Sequence, residues 1–453
     1  MIYLVYKNFV IVYKLLSQQM VKLELLKAFN NSRNIALSGP GGVGKTYQIN
    51  QLKEYCEKEN INMSLCASTG IAANLIGGTT LHHWAGIKPF FVDKFREGNF
   101  IFYPSEKKES TKRIRKTKVL VIDEVSMLGK YTFDLVDHIC RLVKKNNKPF
   151  GGIQVIISFD MLQLPPVKDE YIFKSAVWDE LNFFIIYLTE SFRTDDSIFF
   201  NLLSRARIGT INNDDKKILQ SRLNGTNEEF EKQGIKPTVL YSHKVDVDKL
   251  NFDNLKNLPG PYYNYKSIDV VDTKTFGIIT NNNINNLTSE EKKKAKDMFE
   301  YIDTIVQKEL YLKVGAQVLL TINKSVEKGL VNGSRGVVTS CQKEGVTVNF
   351  QNESVFIDYT SFEHEDECKT IYIRRYLPLQ LAWSLTIHKI QGQTLEYAML
   401  DLGKSIFCAG QAYVALSRMK SLEGTIISSL DTSKFYACKE AIEFDSKIKS
   451  QVI

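Results

Sequence analysis

Eight consecutive residues, Gly39-Pro40-Gly41-Gly42-Val43-Gly44-Lys45-Thr46, have the composition and spacing of a phosphate cradle. Glycines at these places let backbone N–H groups turn toward a phosphate, a lysine reaches the β- and γ-phosphates, and the hydroxyl after it ligates Mg²⁺. The flanks agree with that chemistry. Asn34 to Ser38 reads as a short buried strand, and Ile49, Leu52 and Cys56 recur on one face of a helix, so the glycines fall between strand and helix. Gly39, Pro40, Gly41, Gly42, Val43, Gly44, Lys45 and Thr46 are therefore the expected nucleoside triphosphate site.

Further residues could supply the rest of a hydrolytic reaction. Val119 to Ile122 is an apolar run that delivers Asp123 and Glu124 to its C-terminal end, the edge at which open parallel sheets bind ligands. Asp123 is suited to hold Mg²⁺ and Glu124 to polarise an attacking water. Gln163, just before Pro165 and Pro166, offers an uncharged amide that senses a γ-phosphate without competing for the metal. Arg193 and Arg418 stand far apart in the chain. An arginine supplied across a cleft stabilises charge on a transferring phosphoryl group, although either alone would more often be a surface ion pair.

These residues need an α/β frame. The apolar runs Asn34 to Ser38, Met63 to Ala67, Val119 to Ile122 and Gln154 to Ser158 alternate with helical patterns, which predicts a parallel sheet covered on both faces. From Leu312 to Phe350 short β-rich pieces are separated by glycine turns, the texture of a small β-barrel. Residues 376 to 430 return to strand and helix. Residues 281 to 286, rich in Asn, read as a loop before a capping box at Thr288 and Glu291. Residues 88 to 117 carry a basic cluster, Lys107 to Lys116, beside Phe100, Phe102 and Tyr103. A nucleic-acid-touching insertion and a solvated charge run explain it equally well.

The chain has 453 residues, 43% of them hydrophobic, with a formal charge of +8 that permits a polyanionic partner without requiring one. Its seven cysteines show neither a C-x-x-C nor zinc spacing, which points to reduced thiols inside a cell. Residues 1 to 16 are apolar but interrupted by Lys7 and Lys14, too short to span a membrane, and they lack the marks of a secretory or mitochondrial leader.

A set of longer stretches follows one order: Ala67 to Ala73, Gly77 to His82, Asp123 to Leu128, Leu162 to Val167, Leu312 to Val318, Leu330 to Ser334, Thr386 to Thr394 and Gly410 to Arg418. Together they resemble the successive motifs of superfamily-one helicases of the Pif (petite integration frequency) type, relatives of RecD. The resemblance covers about residues 16 to 425. It implies an α/β fold of two RecA-like P-loop domains, with a small wedge insertion in the first and an SH3-like β-barrel insertion in the second. The boundaries expected are 1–190 for the first domain (wedge about 88–117), 191–305 with 376–440 for the second, and 306–375 for the barrel.

It further implies an ATP- and Mg²⁺-dependent motor, a monomer that moves 5′-to-3′ on single-stranded DNA and opens duplexes at forks, and in some members G-quadruplexes. By position, Lys45, Thr46, Asp123, Glu124 and Gln163 match the family's ATPase residues, and Arg193 and Arg418 its arginine fingers. Thr69, His82 and His388 fall in motifs that line the DNA path, and Gln391 and Gly392 in the segment coupling it to ATP. Gln19 is expected to contact adenine, with Gln18 its rival. Trp84 either stacks a base or fills the core, with the core slightly ahead, and the other histidines are expected to be ordinary packed residues.

Three departures from the pattern stand out. Phe159 replaces a glycine before Asp160, and Met161 a phenylalanine, which puts packing near Gln163 in question. The stretch between Gln19 and Gly39 is longer than expected, and little chain remains outside the motifs for an accessory domain. The competing function is a DNA-stimulated ATPase that remodels protein–nucleic acid complexes without separating strands. RNA is not excluded as partner, and the expected compartment is the nucleus, or a cytoplasmic replication site if the chain is viral.

Overall fold

The computed structural model describes residues 18–104, 109–194, 196–225, 237–273, 277–280, 288–303, 306–322, 324–325, 330, 333–350, 353–365 and 370–451. The Asn-rich segment 281–286, the basic residues Lys107 and Lys108, part of the Leu330 to Ser334 stretch and residues 1–16 lie outside or partly outside them. The chain forms two compact units. One comprises Met1–Pro104, Ser110–His243 and Thr386–Ile453, and the other Ser105–Glu109 and Lys244–Leu385.

The first unit carries two parallel sheets. Six strands, β1 (Ile35–Ser38), β2 (Met63–Ala67), β3 (Thr79–Thr80), β4 (Val119–Asp123), β5 (Gln154–Phe159) and β6 (Phe184–Tyr187), lie in the order β3-β2-β4-β5-β1-β6. Every adjacent pair is parallel. The continuous apolar runs of β1 and β4 are wholly buried, as strands covered on both faces must be. Ile49, Leu52 and Cys56 of helix α1 (Lys45–Lys58) pack with Leu37, Val121 and Ile156 on one face. Leu120, Ile122 and Ile157 face the other core.

The second sheet pairs β7 (Thr238–Tyr241), β8 (Ala398–Leu402) and β9 (Thr425–Leu430) in parallel. Helices α2 (Ser197–Ile208), α3 (Gln411–Ser417) and α4 (Lys439–Ser450) belong to the same unit. Segment 88–117 contains helices Pro89–Arg96 and Glu109–Lys116. Its aromatics turn inward: Phe91, Phe95, Phe100 and Phe102 pack against the main core, while Tyr103 stays exposed. Arg113 donates to the carbonyls of His83 and Trp84, so part of the basic run braces the fold.

The second unit is antiparallel. Strands Glu353–Asp358, Gly345–Phe350, Arg335–Cys341, Gln317–Leu320 and Leu379–Leu381 form a five-stranded sheet over a core of Val318, Leu320, Val338, Val346, Val348 and Ile357. Gly277–Thr280, Ile268–Thr273, Ile371–Tyr376 and Thr360–Glu365 form a second sheet. Here the grouping differs from the sequence expectation, which set 244–305 with the second RecA-like domain. Ile268–Thr273 instead pairs with Ile371–Tyr376, and Arg374 binds Asp269 through both ends of its fork at 2.7 and 2.8 Å. That register, closed by the Arg374–Asp269 pair, ties Ile268–Thr273 to Ile371–Tyr376 within the second unit.

Candidate nucleotide-binding site

The P-loop leaves β1 at Ser38 and enters α1 at Lys45. Gly42 and Gly44 hold φ of 84° and 86°, a region in which side chains are strained. A Cβ on Gly42 would also stand 2.8 Å from Arg193 Cβ. The strap after β6 runs along this loop, with Leu188 N–H donating to Ser38 O and Phe192 N–H to Gly42 O at 2.8 and 2.9 Å.

Lys45 is buried, and its ammonium donates to Gly39 O and Pro40 O at 2.7 and 2.8 Å. Burial lowers its pKa, against the pull of Asp160, Glu124 and Asp123. Thr46 Oγ1 lies 3.4 Å from Asp123 Oδ2. Asp123 accepts from Ser158 Oγ and from Glu124 N–H. Burial, then the Glu124 charge, push its carboxyl up to about 6. A hydroxyl and a carboxylate oxygen at this spacing suit a hard cation that completes its shell with phosphates and water. Among the described residues no cluster of three or more His, Cys, Asp or Glu offers an all-protein metal cage.

Glu124 takes a left-handed conformation, φ 52°, stabilised where its carbonyl accepts from Ser68 Oγ at 2.6 Å. Gln391 Nε2 donates to Glu124 Oε2 at 3.3 Å and to Gln163 Oε1 at 3.2 Å, so two of the chemical groups meet on a third. Gln391 Oε1 is buried with no hydrogen-bond partner among the described residues. Gly392 has φ 84°, and a Cβ there would stand 3.1 Å from Leu75 Cδ1.

The two arginines converge. A Cβ placed on Gly41 would stand 3.1 Å from Arg418 Nη2 and 3.5 Å from Arg193 Nη1. Arg418, 1% exposed, donates to Val414 O and Ser417 Oγ, and Arg193 to Ser417 O and Thr394 Oγ1. Among the described residues neither forms an ion pair. Burial lowers the pKa of both, and the neighbouring Arg418 charge lowers Arg193 further. Guanidinium is too weak an acid to respond by losing its proton, so the strain is relieved by an anion.

The remaining expected residues divide. Gln19 is exposed on the helix over 18–30, whereas the Gln18 amide reaches to 3.8 Å from the Cβ position of Gly44. Of the two glutamines Gln18 is thus the one on the P-loop side, because one residue along a helix turns the side chain by about 100°. Thr69 Oγ1 accepts from Ala72 N–H, so it caps the helix Gly70–Leu75. His82 and His388 are half-buried, and burial lowers the pKa of each. Trp84 is 1% exposed and belongs to the core.

Sequence reasoning passed over four side chains. Phe192 lays its ring beside Gly44. Phe407, exposed, stacks near His243 and His388 at 4.8 and 6.2 Å between centroids. Arg207 and Tyr413 hold Asp160: Arg207 donates twice to Oδ1, and Tyr413 Oη donates to Oδ2 at 3.0 Å. The signal for the last two was the charge of Asp160 on a buried strand end, which needs a counter-charge. Phe159 is accommodated by Trp178 and Phe444, at 5.8 and 6.2 Å.

Comparison with known proteins agrees with this geometry. Residues 16–217 match the family model "PIF1-like helicase", and residues 301–341 match "DNA helicase Pif1, 2B domain". A Psychrobacter ATP-dependent DNA helicase Pif1 is 31% identical over 90% of this chain and 67% of its own length. The chain belongs to the PIF1-like helicase family. The zebrafish (Danio rerio) member, ATP-dependent DNA helicase PIF1, is 33% identical over 94% of this chain. This PIF1-like chain spans about three-fifths of the length of that relative, 63%. A Bacteroides Pif1 crystal structure in complex with ADP-AlF3 and ssDNA superposes with a TM-score of 0.67 and 27% identity, covering 95% of this chain and 97% of that one. The parallel-sheet core is thus that of the two RecA-like domains of PIF1-like helicases.

Proposed function

We propose that this chain is an ATP-dependent DNA helicase that translocates 5′-to-3′ on single-stranded DNA and unwinds duplexes at forks. The observation that carries it is the convergence on Gly41 of two arginines without carboxylate partners among the described residues, on a P-loop that also presents Lys45 and lies beside Asp123, which Thr46 approaches. The relatives' names and the Bacteroides complex with ADP-AlF3 and ssDNA support the same reading.

In this reading Lys45 exchanges the Gly39 and Pro40 carbonyls for phosphate oxygens. Thr46 and Asp123 would hold Mg²⁺, which would neutralise phosphate charge. Glu124 takes a proton from the attacking water, while the amides of Gln163 and Gln391 orient it. Arg193 and Arg418 relax onto charge that grows on the transferring phosphoryl group. Gln18 and Phe192 flank the base. Thr69, His82 and His388 belong to the DNA path, and coupling passes through Gln391, which donates to Glu124, and its neighbour Gly392. We assign segment 88–117 as the wedge and the five-stranded sheet as the inserted barrel.

The test is strand separation on duplexes with a 5′ or a 3′ single-stranded tail, with ATP and Mg²⁺. Unwinding of the 5′-tailed duplex alone is expected, together with its loss in Lys45→Ala. Preference for the 3′ tail would overturn the polarity, and ATP hydrolysis without unwinding of either would overturn the helicase assignment.

A further inference from the structure

The Tyr413 hydroxyl sits at a junction that the reaction as described does not use. It accepts the Gly41 N–H of the P-loop at 3.0 Å and donates to Asp160 Oδ2 at 3.0 Å. The proton's position is forced, because an N–H can only donate and an ionised carboxylate can only accept. The same Asp160 oxygen takes Gln163 Nε2 at 3.4 Å, and Oδ1 takes Leu162 N–H at 3.2 Å. Asp160 is itself fixed by Arg207, which reaches on to both oxygens of Asp445 at 2.8 and 3.0 Å. Tyr413 and Asp160 are 2% and 0% exposed.

Position in the helix matters as much as contact. Tyr413 lies inside α3, and Arg418 caps the C-terminus of that helix. Gly41 thus has the Tyr413 hydroxyl on its N–H and the Arg418 guanidinium 3.1 Å from its Cβ position. We propose that the Tyr413 hydroxyl is a positioning group that holds P-loop Gly41, the Gln163 amide and the Arg418 helix in one register. It therefore governs turnover of ATP rather than its binding. Lys45, Phe192 and the other loop N–H groups bind the nucleotide whether or not the hydroxyl is present. Alignment of Gln163 and Arg418 with the γ-phosphate is what the hydroxyl supplies.

This inference rests on the ATPase part of the proposed function. The test is Tyr413→Phe in the full chain, which keeps the ring and removes only the oxygen. One hydrogen bond of ordinary net strength corresponds to about a fivefold to tenfold change. DNA-stimulated ATPase kcat should fall by about that factor, with KM for ATP and DNA affinity unchanged within about twofold. A second variant separates positioning from general loosening. If the hydroxyl acts through Gln163, Tyr413→Phe should cost little more in a Gln163→Ala background than Gln163→Ala alone. An unchanged kcat, a raised KM with kcat preserved, or multiplicative losses in the double variant would each overturn the proposal. A wild-type chain that hydrolyses no ATP would overturn the proposed function and this inference with it, whereas failure in an active wild type removes this inference alone.

Discussion

Two kinds of sequestered arginine coexist in this chain, and their partners separate chemistry from architecture. Arg207 and Arg374 have side chains 3% and 1% exposed, and each is held between two carboxylates, Asp160 with Asp445 and Asp269 with Asp303. Those carboxylates raise their pKa despite burial. Arg193 and Arg418 face the P-loop with carbonyl and hydroxyl oxygens as their acceptors among the described residues, and their pKa is lowered. Satisfied hydrogen bonds without neutralised charge leave a site that stabilises incoming negative charge. Burial by itself therefore says little about function; the sign of the neighbourhood decides.

The sharpest way to break that comparison is to remove one arginine of each kind. Arg418→Ala should lower ATP hydrolysis by about 10³-fold or more, the scale of an arginine finger, while the thermal midpoint stays level or rises. A variant that keeps wild-type turnover would place Arg418 among the structural arginines. Arg207→Ala should behave in the opposite sense, destabilising by about 3 to 5 kcal/mol because two carboxylates lose their counter-charge. Arg374→Ala should fall near the lower end of that range, since Asp303 is 41% exposed and can turn to water. Denaturant unfolding of both variants measures this, and a change under about 1 kcal/mol at Arg207 would collapse the distinction.

Asp123 extends the argument to an acid. Its folded-state pKa of about 6 exceeds the ordinary aspartate value of about 4. The folded chain then holds this proton more tightly than the unfolded chain. The associated stability is full below about pH 4 and is lost as pH rises through about 6. Asp123→Asn should abolish hydrolysis yet raise the melting temperature at pH 7.5, and should flatten this part of the stability profile between pH 4 and 7. Melting of the Asn variant below wild type at pH 7.5 would show that the carboxylate is structurally required. The smallest effect belongs to a pair in water's reach. Glu180→Gln, which discharges the partner of Arg141 at 2.7 Å, should shift stability by less than about 1 kcal/mol.

Lys45, Thr46 and Asp123 stand out in the sequence because they sit at the start of a helix or the end of a strand, where pattern and chemistry coincide, whereas Gln163, Arg193 and Arg418 stand out only through the order of the motifs. Lys45, Thr46, Asp123, Gln163, Arg193 and Arg418 all reach one place. What sequence could not resolve was rotation and long-range pairing. Gln18 and Gln19 differ only by a step around a helix, which no composition encodes. The pairing of Ile268–Thr273 with Ile371–Tyr376 depends on register between distant segments, and it moved residues 244–305 out of the expected grouping. Phe159 was visible as a departure, but its accommodation required Phe444 from α4.

The attachment of α4 also has a consequence in time. Arg207 must wait for a partner 238 residues further along the chain before its second carboxylate exists. During synthesis the strands that carry the P-loop and Asp160 are complete long before Asp445 emerges, so Asp160 and Arg207 meet first as a neutral pair, with the guanidinium N–H groups that later bind Asp445 still unanswered. Domains fold largely in order of synthesis, and here α4 completes the hydrogen bonding of Arg207 beside a site whose P-loop was made much earlier. Competence to turn over ATP should accordingly appear late in biogenesis, after the fold of the first sheet is already in place.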